Sequence, residues 1–152
     1  ANYNKVNDYA DGVATEDQTE EGGSYGANYT IGQFSVGYGE TIHAPAQRMQ
    51  STAAGAASTQ HTENSAYSLG FAVNENLSVS WTEESSDRKR KSKAAAGNTT
   101  TRADVEMEIR TVDVSYTMGG ATLGLSNSEH TNDSYTAGDD TTETIFAISL
   151  AF

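Results

Sequence analysis

Few residues in this chain are equipped for covalent chemistry. There are three histidines, His43, His61 and His130, and no cysteine. Nucleophilic catalysis needs a hydroxyl or thiol beside a base, with a third polar group orienting that base. His130 with Ser126 or Ser128 is the local pairing of this kind. Serine is so frequent here that closeness in sequence carries little weight, and the chain is not read as an enzyme. The missing cysteines also exclude thiolate metal sites and a disulfide framework. Paired acids at Glu16-Asp17, Glu20-Glu21 and Asp139-Asp140 could offer oxygens to Ca²⁺ in loops, but their spacing defines no site, and no cofactor is expected. The net charge of −12 argues against a nucleic-acid partner.

These residues sit in or beside a repeated pattern of alternation. Tyr25, Ala27, Tyr29 and Ile31 alternate with small or polar residues, turn at Gly32-Gln33, and continue as Phe34, Val36 and Tyr38. Tyr67, Leu69, Phe71 and Val73 do the same, turn at Asn74-Glu75-Asn76, and continue as Leu77, Val79 and Trp81. Val112, Val114, Tyr116 and Met118 turn at Gly119-Gly120 into Ala121, Leu123 and Leu125. A final segment, TETIFAISLAF, places Phe146, Ile148, Leu150 and Phe152 on one phase. Period two marks strands with one apolar face, and bends of two or three residues with Gly or Asn mark hairpins. The expected strands are 24–31, 34–43, 64–73, 77–86, 105–118, 121–130 and 142–152, seven in all. Residues 1–23 do not alternate and read as an acidic external loop.

The hairpins are joined by long polar stretches at 47–62, 86–103 and 132–143. Short turns at one end and long loops at the other are the habit of outer-membrane barrels. No stretch approaches the roughly 20 apolar residues of a spanning helix. The mean hydropathy of −0.59 suits a barrel with a polar lumen. The lone proline, Pro45, falls where a strand leaves for a loop, sparing the ladders. No signal peptide is visible, so the chain is expected to be mature or a fragment.

The two phases divide the candidate residues. Lipid-facing or interface positions are Tyr29, Phe34, Phe71, Trp81, Tyr116, Phe146, Ile148 and Phe152, with aromatics gathered near short turns as an interfacial girdle. Pore-lining candidates are Asn28, Ser35, Gly37, Ser80, Glu84, Arg110, Asp113, Ser115 and Gly124. Most are small, leaving room for water where a small packed barrel would need bulk. Arg110 sits where the alternation slips: Val105, Met107 and Ile109 are apolar on odd positions, Val112 and Val114 on even ones. A bulge near Arg110-Thr111 would turn Arg110 onto the wall, opposite acidic groups; the alternative is a salt bridge to Glu108 or Asp113 on the same wall.

The segments ANYTIGQFSVGYGE, FAVNENLSVSWTEE and YTMGGATLGLS, followed by the terminal TIFAISLAF, resemble the C-terminal portion of a general diffusion porin of the alpha-proteobacterial type. The resemblance runs from about Ser24 to Phe152. It implies an all-β, antiparallel transmembrane β-barrel in a Gram-negative outer membrane, of which seven strands belong to a total of about 16. It further implies a homotrimeric, water-filled channel for passive transport of small hydrophilic solutes and ions. Membrane lipids and lipopolysaccharide are the expected partners, with the basic run Arg88-Lys89-Arg90-Lys91-Ser92-Lys93 either facing lipid phosphates or solvated beside loop acids. No constriction loop is found. The alternatives are an eight-stranded barrel with a first strand within Ala1 to Val13, and a small structural or adhesive barrel with recognition loops and no open pore.

Overall fold

Alternation of small hydroxyls with apolar side chains, without a helical period, produces an all-β chain. The structure, a computed structural model, describes residues 1–6, 20–45, 57–93, 99–101 and 104–151. The strands are β1 (Asn2–Val6), β2 (Glu20–Ile31), β3 (Phe34–Ala44), β4 (Ala57–Ala72), β5 (Leu77–Lys93), β6 (Thr99–Thr101), β7 (Val105–Met118), β8 (Ala121–Thr131) and β9 (Thr141–Leu150). They form one antiparallel sheet in the order β1-β2-β3-β4-β5-β7-β8-β9, with β6 attached to β5. β1 and β9 end this path, and among the described residues they do not pair with each other.

Two expectations need correction. Asn2–Val6 is a strand, pairing from Asn2↔Ser24 to Val6↔Glu20, and Glu20 to Gly23 already belong to β2. The acidic external loop therefore cannot cover all of 1–23, and the stretch 7–19 lies outside the described residues. Among the described residues the seven expected strands become eight along the path, plus β6. Several also run further than their apolar pattern: β4 begins at Ala57 and β5 continues to Lys93. Backbone ladders need no apolar residue, so polar strand ends carry no alternation to read.

The chain divides into two compact units. The first draws on the described residues among 1–25, 40–64 and 86–106. Ser86 Oγ donates to Asn64 Oδ1 at 2.5 Å, and Asn64 Nδ2 donates to Thr41 Oγ1 at 2.9 Å, tying three strands side by side. Tyr25 donates its hydroxyl proton to Glu40. The basic run lies within β5, where Lys89 Nζ sits 2.5 Å from Asp87 Oδ2 and 3.4 Å from Asp104 Oδ2.

The second unit comprises the described residues among 26–39, 65–85 and from 107 onward. Gly32 and Gly119 adopt φ of 59° and 60°, the left-handed conformation that tight turns demand and a missing Cβ permits. At the second turn, between β4 and β5, Asn74 Oδ1 accepts from the N–H groups of Asn76 and Leu77 at 2.8 and 3.0 Å, so the side chain stands in for a backbone acceptor. Successive hairpins are staggered. Gln33 O, in the first turn, accepts from Ala72 N at 2.8 Å, although β4 has not yet reached its own turn. Asn76 O, in the next turn, accepts from Thr117 N at 2.8 Å, again short of Gly119. Each hairpin thus reaches past the one before it.

The link between β8 and β9 is not a loose loop. Asp140 Oδ1 accepts from Asn132 N at 3.1 Å, Asn132 Oδ1 accepts from Gly138 N at 2.9 Å, and a 3-10 turn spans Asp133–Tyr135. Short Asn and Asp side chains close it through local backbone bonds.

Candidate functional site

Cross-strand pairing fixes which residues share a face of the second unit. Ser115 faces Gly124, and Gly124 faces Ala147; Asp113 faces Ser126. Ser80 Oγ lies 3.5 Å from Asp113 Oδ2, bringing the even positions of β5, including Glu84, onto that same face. Ser35 Oγ leans over Gly70, and Asn28 and Ser68 flank the position a Cβ on Gly37 would occupy. Asn28, Ser35, Gly37, Ser80, Glu84, Asp113, Ser115 and Gly124 therefore form one wall. Hydroxyl pairs continue it: Thr111 with Ser128 at 2.9 Å and Thr117 with Thr122 at 3.1 Å. Gly26, Gly37 and Gly39, beside Asn28 and Ser68, leave a depression of about 400 Å³. Such a surface offers hydrogen bonds to water and little bulk.

Arg110 does not belong to this wall. β7 pairs with β8 in unbroken register from Glu108↔Thr131 to Met118↔Ala121, so no bulge interrupts it against that neighbour at Arg110-Thr111. Arg110 consequently keeps the phase of Val112, Val114 and Tyr116. Its Nε donates to Glu83 Oε2 at 2.9 Å and its Nη2 to Glu108 Oε2 at 3.1 Å. Arg110 is therefore not turned onto the wall to face acidic groups, and a same-wall salt bridge to Asp113 is excluded too, because the two occupy opposite faces. Of the two partners the sequence offers as the alternative, Glu108 is engaged and Asp113 is not; Glu83, which follows Trp81 on the same phase, is the further partner. Strict period two, applied without a bulge, would have found it.

The other face is apolar and open. Tyr29 is 63% exposed, Phe34 58%, Phe146 65% and Ile148 60%, with Tyr116 at 38%. Phe71 and Trp81 are half-buried against their neighbours. Phe34 stacks on Phe71 with centroids 4.6 Å apart, and Tyr38 meets Tyr67 at 4.9 Å. Phe152 lies outside the described residues. Among the described residues no hydrophobic side chain is buried, and Ser86 is the one residue largely shielded from solvent. One layer of sheet has no second layer against which to hide its apolar phase.

The catalytic and metal readings gain no geometry. Ser128 Oγ is engaged with Thr111, while His130 pairs across the strands with Ile109 and Thr141. His43 lies 3.7 Å from Glu20 and His61 3.3 Å from Glu63, both in the first unit. Among the described residues no three His, Asp or Glu side chains converge as a metal site. Comparison with protein-family models, curated proteins and solved structures finds no match to this chain.

Proposed function

We propose that this sheet is part of an outer-membrane β-barrel of the porin type, forming a water-filled channel for passive diffusion of small hydrophilic solutes and ions. The observation that carries the reading is the apolar face of the second unit, whose large side chains stand open with no buried hydrophobic core among the described residues. Contiguous exposed apolar surface on this scale marks a partner or a membrane. Lipid is the partner that asks for an apolar residue at every second position of every strand.

The opposite wall supports a channel. Gly, Ser and Thr at Gly37, Gly124, Ser35, Ser80 and Ser115 leave space, where an eight-stranded barrel would fill its interior with side chains. A wider barrel of about 16 strands suits them better, with the eight described strands of the path as part of it. Placement in a Gram-negative outer membrane and assembly as a homotrimer through Phe146 and Ile148 belong to the same proposal.

Single-channel recording in planar bilayers tests it. Discrete conductance steps are expected. Membrane insertion without steps would favour a plugged structural or adhesive barrel, and failure to insert would overturn the membrane reading.

A further inference from the structure

The first unit holds a recess that the channel reading leaves unused. Its floor is Gly23 in β2. A Cβ there would lie 3.4 Å from Asn2 O, 3.6 Å from Tyr3 Cδ2 and 3.8 Å from Ile42 Cγ2, so the missing side chain opens space between neighbouring strands. Register supplies the neighbours. Gly23 pairs with Tyr3 of β1, and the bond between Asn64 and Thr41 sets Ile42 of β3 beside Glu63 of β4. Tyr25 follows Gly23 on the same phase and donates its hydroxyl proton to Glu40. The recess measures about 380 Å³, and Gly23, Tyr25, Glu40, Ile42 and Glu63 are among the residues that line it.

Two kinds of surface meet there. Tyr3, Tyr25 and Ile42 are large, exposed and largely apolar. They belong to the phase of their strands that faces lipid in the membrane reading. Glu40 and Glu63 place carboxylates on that same phase, and His61 Nε2 lies 3.3 Å from Glu63 Oε1. Carboxylates beside apolar surface are costly unless a cation meets them. The lining selects the kind of cation. Ca²⁺ asks for about six to eight oxygens, and two carboxylates flanked by an isoleucine methyl and a tyrosine ring supply too few. A primary ammonium asks for three acceptors and is attracted by an aromatic face. Glu40, Glu63 and the carbonyl of Asn2 are acceptors at the recess, and Tyr25 brings the ring.

We propose that this recess binds the primary ammonium head group of a phospholipid, held by Glu40 and Glu63 beside the Tyr25 ring, with the acyl chains left to the apolar phase of the same strands. The inference rests on the membrane reading above and names a lipid partner for it. It also ranks lipids. The quaternary ammonium of phosphatidylcholine can lie on an aromatic face but has no N–H to donate to a carboxylate, and phosphatidylglycerol carries no cation.

Native mass spectrometry of the detergent-solubilised protein tests the site, with dioleoyl phosphatidylethanolamine, phosphatidylcholine and phosphatidylglycerol offered in equal amounts. The phosphatidylethanolamine adduct is expected to exceed the phosphatidylcholine adduct about tenfold. That excess should vanish when Glu40→Gln and Glu63→Gln are combined. Gly23→Leu fills the recess while keeping both carboxylates, and should lose the adduct as well. Equal adducts of the three lipids on the native protein overturn the site, as does an excess that survives in both variants. Free ethanolamine is the other source of the same chemistry. Loss of the lipid adduct when ethanolamine is added in excess would assign the recess to a soluble amine and overturn the lipid partner. Flotation with vesicles reads the membrane proposal separately. Protein that floats but shows no lipid preference loses this site alone, whereas protein that does not float overturns the membrane reading on which the site rests.

Discussion

Arg110 and Asp113 lie three residues apart on β7 yet on opposite faces, the arginine bound to Glu83 at 2.9 Å and the aspartate 3.5 Å from Ser80. The wall around Ser80 and Ser115 thus keeps the carboxylates of Asp113 and Glu84 without the guanidinium. Rings of carboxylates favour cations in a pore. Reversal potentials in a salt gradient are expected to show cation preference, reduced in Asp113→Asn and unchanged in Arg110→Gln. A large selectivity change in Arg110→Gln would put that side chain on the wall after all.

Val79 shares its phase with Trp81. Replacing it by Arg is expected to cost about 2–4 kcal/mol in vesicle unfolding if it lies near the midplane. Ser80→Arg, one residue on and facing the wall, should leave unfolding near wild type and alter conductance instead. A silent Val79→Arg would take this face out of the bilayer.

Gly37 and Gly124 both face the wall but are not equivalent. A Cβ on Gly124 meets Ala147 Cβ at 3.8 Å, ordinary contact, whereas one on Gly37 crowds Ser68 Oγ and lies 3.3 Å from Asn28 Oδ1. Gly124→Trp is expected to lower single-channel conductance with little loss of stability. Gly37→Trp should do so and also weaken folding, as measured by urea titration in vesicles.

The Asn74 turn depends on one side chain. Asn74→Ala removes the one acceptor shared by two backbone N–H groups and is expected to cost about 1 kcal/mol, with the turn exposed enough for water to replace part of the loss. Gly119→Val, at φ 60°, should cost about 1–2 kcal/mol because a β-branched residue resists the left-handed region. Equal stability of both variants with wild type would mean that these turns do not set the hairpins.

Lys89, beyond the apolar part of β5, has its pKa raised above the ordinary 10.5, first by its hydrogen bond to Asp87 and further by Asp104. A raised pKa in the folded state means stability present below 10.5 and lost as pH rises through the raised value. The stability difference between wild type and Lys89→Gln, measured in alkaline buffers, should therefore shrink as pH rises above 10.5. The same pairing favours the solvated reading of the basic run, with Lys89 engaged by the chain's own acids.

Local pattern alone determined the hairpins of this protein. Alternation at Tyr25 to Tyr38, Tyr67 to Trp81 and Val112 to Leu125, with Gly or Asn at each bend, specifies antiparallel strands because period two and tight-turn chemistry are short-range properties. The division of wall from apolar face was equally legible, since a strand's phase persists unless a bulge intervenes. Tertiary structure decided what depends on partners distant in sequence. β1 has no apolar alternation to announce it and exists through its ladder with Glu20 to Ser24. The polar ends of β4 and β5 are strands because neighbouring backbones pair with them. Arg110 could be given its face only by the unbroken register against β8, because Met107 and Ile109 carry apolar side chains on the wall phase and imitate a slip. The stagger of one hairpin past the next was invisible in any single strand, since it is a relation between registers.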